Sequence, residues 1–223
     1  INSELDGLLE KSGIKGPYIL VGHGIGGLDL QEFAARHKGE VKGALFIKPM
    51  TPLFTLFKEE LRPVYYSNII DRRASIKTGR IFAASGIIRL LGATPYKIPK
   101  GPYGHEIVNT FSDPVTYDTM LAEYSKGYKT SLKEQQFEPL GSLPHIVLHH
   151  NRKEFWKAML LYHLSWDEIE DIDIIWTRSY EALLGKGGTL LEAAHGVDAI
   201  VQTNPESVIE ALHKLEDMID LSY

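Results

Sequence analysis

Short apolar runs alternate with longer amphipathic stretches in the first fifty residues of the chain. The runs 18–21 (YILV) and 43–47 (GALFI) contain no polar side chain and predict short strands buried on both faces. Apolar residues at helical spacing predict helices over 3–12 and 25–37. Because helices and strands alternate and the strands lack a polar face, the pattern favours a parallel sheet covered by helices on both sides.

Strand signals stop between about residues 53 and 138. Amphipathic stretches at 53–61, 65–91 and 113–128 predict helices there, and Pro114 suits a first helical turn. The sheet pattern returns with predicted strands 144–149 and 189–194 and predicted helices 165–184 and 204–219. The expected organisation is therefore an α/β core of residues 1–52 and 139–223, interrupted by a helical insertion of residues 53–138.

A glycine-rich turn joins the first predicted strand to the helix that follows it. The turn reads Gly22-His23-Gly24-Ile25-Gly26. Many hydrolases present a nucleophilic serine in this setting, at the centre of a G-x-S-x-G motif. Here the central position is Gly24, so the motif predicts the backbone turn without its nucleophile.

The stretch GPYILVGHGIGGLDLQEFAARHKGEVKGALFIKP resembles the elbow strand, nucleophile turn, helix and next strand of the α/β-hydrolase fold superfamily. The stretch NPESVIEALHKL resembles the last helix of that family. The resemblance covers roughly residues 3–49 and 139–220, and the insertion lies where the family carries its cap. It implies a mostly parallel sheet of the α/β-hydrolase type with a helical cap insertion.

The same resemblance implies a serine, an imidazole and a carboxylate as catalytic groups. Gly24 supplies no attacking atom, and the family's spacing back from the last helix places Asp198 where the histidine is expected, with His195 three residues earlier. The carboxylate expected after the third predicted strand is not evident, and Glu154 is the nearest acid. We therefore expect a degenerate site in which Gly24 has a positive φ, and in which Gly24→Ser destabilises the protein without creating activity.

Four histidines lie near the carboxyl ends of predicted strands, where open α/β sheets bind ligands. Together with Asp198 and Glu154 they would suit metal binding or acid–base chemistry, whereas the alternative is a set of hydrogen-bonded core histidines. Their spacing matches no metal motif, and no cofactor is expected. Aromatic residues of the insertion either form its core or cover a small organic ligand beneath the cap. The residues predicted to bind such a ligand are His23, Gly24, Ile25, His149 and His195, and the fourth histidine is His150.

Charge and composition narrow the classes of partner. The 223 residues carry 24 Lys and Arg against 29 Asp and Glu, a net charge of −5, so nucleic acid is not expected as a partner except through the basic region 58–100. The absence of cysteine excludes disulfides and a cysteine nucleophile. No apolar run is long enough to span a bilayer, and we expect a water-soluble chain with an intracellular location favoured.

The strand Tyr18 to Val21 is expected to lie at an edge of the sheet. Nothing before it encodes the further strands that the family places on its other side, and an exposed apolar edge invites association. We therefore expect either a missing N-terminal segment of a longer protein or a protein partner to complete the sheet beside Tyr18 to Val21.

Three functional hypotheses remain open at this point. The leading one is a non-catalytic α/β-hydrolase-like protein that acts as a binding or scaffold subunit in a larger assembly. The second is a hydrolase-type enzyme with altered chemistry, using His195 or His23 on a small ester, epoxide or carbonyl compound. The third is a serine hydrolase whose nucleophile was inactivated experimentally at residue 24.

Overall fold

The structure is a computed structural model that describes residues 2–63, 66, 70–92, 94, 103–134, 140–161 and 164–220. The chain divides into two compact units. The first unit comprises Ile1–Glu59 and Thr130–Tyr223, and the second comprises Glu60–Lys129. The assignment of residues 53–138 as a cap stays a prediction.

Four strands form the sheet of the first unit: β1 (Tyr18–His23), β2 (Val41–Ile47), β3 (His145–His149) and β4 (Gly188–Glu192). They lie side by side in the order β1-β2-β3-β4, and every neighbouring pair is parallel. The predicted parallel sheet is therefore confirmed, and each strand lies within two residues of its predicted bounds.

The helices in chain order are α1 (Asn2–Ser12), α2 (Gly26–Arg36), α3 (Leu56–Glu60), α4 (Arg73–Ala84), α5 (Ile87–Leu91), α6 (Gly104–Phe111), α7 (Pro114–Glu134), α8 (Arg152–Leu160), α9 (Trp166–Leu184), α10 (Ile200–Thr203) and α11 (Pro205–Asp220). A 3-10 turn, Pro52–Thr55, precedes α3. In the sequence, Ser165-Trp166-Asp167-Glu168 fits the pattern of a capping box. The structure has this capping box at α9, where Ser165 Oγ accepts from the Glu168 backbone and Glu168 Oε2 accepts from the Ser165 backbone.

The main core of the first unit lies between the middle of the sheet and α11. Leu45 of β2 and Ile146 of β3 are fully buried there against Leu215 of α11. A Cβ at Gly43 would lie 2.7 Å from Ile219 Cδ1, so glycine allows the helix to approach this strand closely. Apolar residues on both faces of β2 and β3 explain why these strands read as continuous hydrophobic runs.

The edge strand β1 is covered on one face only within the described residues. Leu20 packs with Phe33 of α2 on that face. Ile19 and Val21 point to the opposite face, which they share with Leu45 because Val21 and Leu45 are register partners. Helix α11 packs on β2 and β3, and both Ile19 and Val21 are exposed.

The second unit is helical and has a small core of its own. Ile76, Ala83, Ile88 and Tyr117 are buried together. The amphipathic stretch 65–91 contains two separate helices, α4 and α5, which are joined by a turn at Gly86 with φ +78°. Residues 65 and 67–69 of that stretch lie outside the described residues.

Candidate functional site

The turn between β1 and α2 is hydrogen-bonded to the end of β2 and to the residues that follow it. The Gly24 backbone N–H donates to Ile47 O at 3.1 Å, and Gly24 O accepts from the Met50 N–H at 2.7 Å. A Cβ at Gly27 would lie 2.5 Å from Pro49 Cβ, so the helix can reach this position only with glycine there. The glycine-rich sequence therefore produces a tight strand–turn–helix junction at the carboxyl edge of the sheet.

Gly24 occupies the apex of this turn. Its φ is +57°, which confirms the predicted positive φ. No heavy atom outside the adjoining residues lies within 4 Å of an ideal Cβ at this position. A side chain there would stand clear of the turn, as the nucleophile of a hydrolase does, but glycine leaves the position without a side chain. We call this turn, residues 22–26, the elbow.

Lys48 and Asp198 form an ion pair beside the elbow. Lys48 directly follows β2 and has φ +41°, the only positive φ of a non-glycine residue in the part of the chain that the structure describes. Its mostly buried Nζ also donates to Val197 O at 2.8 Å and lies 5.7 Å from the centre of the Trp176 ring. His23 Nε2 is 3.4 Å from Asp198 O, so the loop after β4 also reaches the end of β1.

His195 and Glu154 form a second pair, between the loop after β4 and the first turn of α8. His195 Nδ1 is 3.0 Å from Glu154 Oε1, and Glu154 Oε2 accepts from the Gly196 N–H at 2.7 Å. The Gly196 hydrogen bond, followed by the one with His195, lowers the pKa of Glu154 and keeps the carboxylate charged. Glu154, the acid nearest to the third strand in the sequence, is therefore the carboxylate that contacts His195.

Asn151 holds the two segments of this pair together. Its Oδ1 caps α8 by accepting from the Glu154 N–H at 3.0 Å, while its Nδ2 donates to Ala193 O at 3.1 Å. One side chain thus fixes the first turn of α8 against the end of β4. This contact spans 42 residues of sequence, which explains why reading the chain locally did not find the pair.

Three buried polar side chains lie behind the end of β3. His149 is buried at the last position of the strand, and its ring contacts those of His150 and Tyr180. Neither nitrogen of His150 nor the hydroxyl of Tyr180 has a hydrogen-bond partner among the described residues. His150 Nε2 is 3.9 Å from Asp173 Oδ1, beyond hydrogen-bond range.

Burial sets the ionisation of these groups. It lowers the pKa of His149, and it lowers the pKa of His150 to about 2 with help from the charge of Lys48. It also raises the pKa of Tyr180. All three side chains are therefore neutral near pH 7 and offer no charge to a ligand there.

The predicted site residues fall into separate groups. His23, Gly24 and Ile25 lie at the elbow, where Asp198 joins them through its contact with His23. His195 is exposed and turned to Glu154, and His149 belongs to the buried group. In the described ranges no cluster of three or more His, Cys, Asp or Glu side chains is arranged to hold a metal ion.

Sequence reasoning missed Lys48 and the ion pair between Arg152 and Asp173, whose Nε and Oδ2 atoms are 2.8 Å apart. A signal existed for Lys48, since a charged residue directly after a buried strand stands at the ligand-binding edge of a parallel sheet. No local pattern marks Asp173, which lies within α9 among apolar residues.

Comparison with known proteins supports the fold rather than a particular activity. No family model matches the chain. One relative, an uncharacterized protein of Schizosaccharomyces pombe, is 54% identical over 39 residues, which is 18% of this chain and 7% of that protein.

Solved structures match over almost the whole chain. The haloalkane dehalogenase DatA from Agrobacterium tumefaciens aligns with a TM-score of 0.56 and 15% identity, covering 96% of this chain and 71% of DatA. MGS-M2, an α/β-hydrolase enzyme from a Medee basin deep-sea metagenome library, aligns with a TM-score of 0.57 and 14% identity, covering 97% of this chain and 70% of MGS-M2. ALR0039 from Nostoc sp PCC 7120 aligns with a TM-score of 0.64 and 11% identity, covering 96% of this chain and 70% of ALR0039. With its parallel four-stranded sheet and its strand–turn–helix elbow, this chain has the α/β-hydrolase fold.

Proposed function

We propose that this protein is a binding or scaffold subunit of the α/β-hydrolase fold that forms no covalent intermediate at the elbow. The observation that carries the proposal is Gly24, which holds the apex of the turn in the backbone conformation of a nucleophile but has no atom that can attack. Fold alone does not imply hydrolysis, because the reaction depends on the groups placed at the site.

The neighbours of Gly24 support the proposal. The position where the family's spacing predicts the base is Asp198, and its carboxylate is ion-paired to Lys48. A carboxylate therefore stands where the family's chemistry uses an imidazole base. Within the described residues the His195 side chain contacts Glu154, and no hydrogen bond or ion pair links it to residue 24.

We expect no turnover of activated acyl esters above the rate in buffer, and no labelling by a fluorophosphonate probe at residue 24. The probe needs an oxygen nucleophile, which glycine cannot provide. The measurement is mass spectrometry of the labelled full chain, with an active serine hydrolase as a positive control in the same buffer. Covalent labelling of any serine of this protein would count against the proposal.

A second candidate is a hydrolase with altered chemistry, and the 3.0 Å contact between His195 and Glu154 favours it. When Glu154 accepts from the Nδ1–H of His195, Nε2 is left as the proton acceptor and could take a proton from water. The water would then attack a small ester, epoxide or carbonyl compound without a protein nucleophile. Turnover that survives purification and is lost in both His195→Gln and Glu154→Gln would select this candidate over the first.

A native coding sequence with serine at position 24 would instead select a serine hydrolase whose nucleophile was replaced. The small organic ligand predicted at His23, Gly24, Ile25, His149 and His195 stays a prediction, as does a nucleic-acid contact through the basic region 58–100. Within the described residues no helix is long and apolar enough to cross a membrane.

We also propose that a further strand, from a longer form of this chain or from a protein partner, adds to β1. Its support is that β1 pairs only with β2 among the described residues and leaves Ile19 and Val21 exposed. Free backbone groups on an apolar edge promote association with another strand.

Hydrogen exchange tests this pairing. In the native particle, the amides of Ile19 to Val21 are expected to exchange as slowly as those of the central strand β2, because they would be hydrogen-bonded on both sides of β1. The protein is isolated together with any chains that co-purify with it, and its amide exchange is measured by mass spectrometry. The amides of Ala44 to Phe46 serve as the internal reference. Exchange of alternate β1 amides at the rate of an unstructured peptide would contradict the proposal.

A further inference from the structure

Five large apolar side chains are exposed at the junction of α4 and α5. Leu90 and Leu91 are the most exposed, at 82% and 70%. We call the group the α4–α5 tip, and it consists of Ile81, Phe82, Ile87, Leu90 and Leu91. Single exposed leucines are ordinary, but five large exposed apolar residues within eleven positions are a concentration typical of interaction sites.

The packing of the second unit explains why these side chains project. The positions of α4 and α5 that face Tyr117 are already filled by Ile76, Ala83 and Ile88. A Cβ at Gly79 would lie 2.4 Å from Tyr117 Cε1, so this face is packed to contact. The helical period therefore turns the remaining apolar residues away from that core.

The segment of the chain that contains the tip is basic. Residues 72–92 contain five arginines and lysines and no acidic residue. Asp118 pairs with Arg80 at 2.6 Å, and Asp71 pairs with Arg73 and lies within reach of the charge of Lys77. Lys77 and Arg89 are exposed on the same two helices as the apolar residues. The tip therefore combines exposed leucine and phenylalanine with basic side chains on the same short segment.

We propose that the α4–α5 tip docks on the surface of an anionic lipid bilayer. Leu90, Leu91 and Phe82 would insert into the boundary between headgroups and acyl chains, and Lys77 and Arg89 would contact the lipid phosphates. This combination of apolar and basic side chains is how interfacial segments bind membranes without spanning them. A second copy fits less well, because two tips facing each other would bring like charges together.

Co-sedimentation of the full chain with vesicles tests the docking. Vesicles of phosphatidylcholine mixed with phosphatidylserine are expected to bind the protein, and pure phosphatidylcholine vesicles to bind it at least about fivefold more weakly. Binding to the mixed vesicles is expected to fall as salt is added, since screening weakens the attraction between the basic side chains and the anionic surface.

Two variants with matched controls locate the contact. The double variant Leu90→Ser/Leu91→Ser is expected to lower the partition coefficient at least about tenfold, and Lys77→Glu/Arg89→Glu at least about fivefold for each charge. Leu161→Ser removes an equally exposed leucine, 81% accessible, from the first unit, and Lys214→Glu reverses an exposed charge on α11; both are expected to bind like the parent protein. Thermal unfolding of each variant confirms that it is folded, and the charge variant carries the test if the leucine variant is not.

Three outcomes would overturn the proposal. One is equal binding to the anionic and the neutral vesicles, and another is parental binding by folded forms of both tip variants. The third is a concentration-dependent dimer in light scattering that Leu90→Ser/Leu91→Ser abolishes while vesicles bind nothing, which would make the tip an interface between copies of this chain.

Discussion

Lowering the pH from about 7 to about 5 is expected to reduce the free energy of unfolding by about 2 kcal/mol through His150 alone. His150 is fully buried, and its ring lies 4.3 Å from that of Phe155, between ring centres. Neither ring nitrogen has a hydrogen-bond partner in the described part of the chain. A charged imidazole in this position would lose its hydration without gaining a hydrogen bond.

The direction of the effect follows from the two pKa values. Burial, followed by the charges of Lys48 and His149, lowers the pKa of His150 to about 2 in the folded protein, whereas an unfolded histidine titrates near 6.5. Between these values the unfolded chain binds the proton and the folded one does not. The stabilising contribution is therefore complete above the unfolded pKa and is lost progressively as the pH falls below it.

Denaturant unfolding across this pH range measures the effect. His150→Leu removes the titrating group at a buried site of similar volume, so the loss of stability between about pH 7 and about pH 5 is expected to shrink by about 2 kcal/mol. The lowered pKa values of His145 and His149 act in the same direction and remain in the variant, so the comparison isolates His150. His213→Gln changes an exposed histidine and serves as the control. An unchanged pH dependence in His150→Leu would show that His150 is charged or hydrated in the folded protein.

Gly24→Ser is expected to lower the free energy of unfolding by about 1–2 kcal/mol, because an L-residue at a left-handed φ places Cβ against its own backbone. The neighbourhood adds no steric cost, since no other heavy atom lies within 4 Å of the new Cβ. Gly26→Ser is the matched control, because its Cβ also meets open space but its φ is not positive. We expect that control to change stability by no more than about 0.5 kcal/mol. Equal losses in the two variants would mean that φ at residue 24 is not the cause.

The same variant tests the chemistry of the elbow. We expect Gly24→Ser to show no ester turnover, because the loop after β4 brings Asp198, paired with Lys48, to the elbow, whereas no contact among the described residues links His195 to residue 24. The rate of ester hydrolysis by the purified, folded variant is the measurement. Turnover that disappears again in Gly24→Ser/His195→Gln would show that His195 reaches residue 24 and that only the nucleophile was missing.

The sequence by itself determined the features that depend on local geometry. Continuous apolar runs predicted the parallel strands, because a strand buried on both faces has no polar positions. The predicted burial of both faces holds for β2 and β3 but is wrong for β1, which exposes Ile19 and Val21. The glycine spacing predicted the elbow and the positive φ of Gly24, and the Ser165–Glu168 pattern predicted the cap of α9. Each of these features requires only residues within one turn or one strand.

The tertiary structure alone decided which polar side chains meet. Glu154 and His195 are 41 residues apart, and Lys48 and Asp198 are 150 apart, so their contacts depend on the paths of two loops and on the order of the strands. The exposure of Ile19 and Val21 likewise depends on how far α11 extends across the sheet. The residue pattern of β1 alone does not indicate this extent. Hydrophobic pattern fixes which residues are buried within an element, whereas a site at the carboxyl edge of a sheet is assembled from loops whose conformations depend on long-range packing.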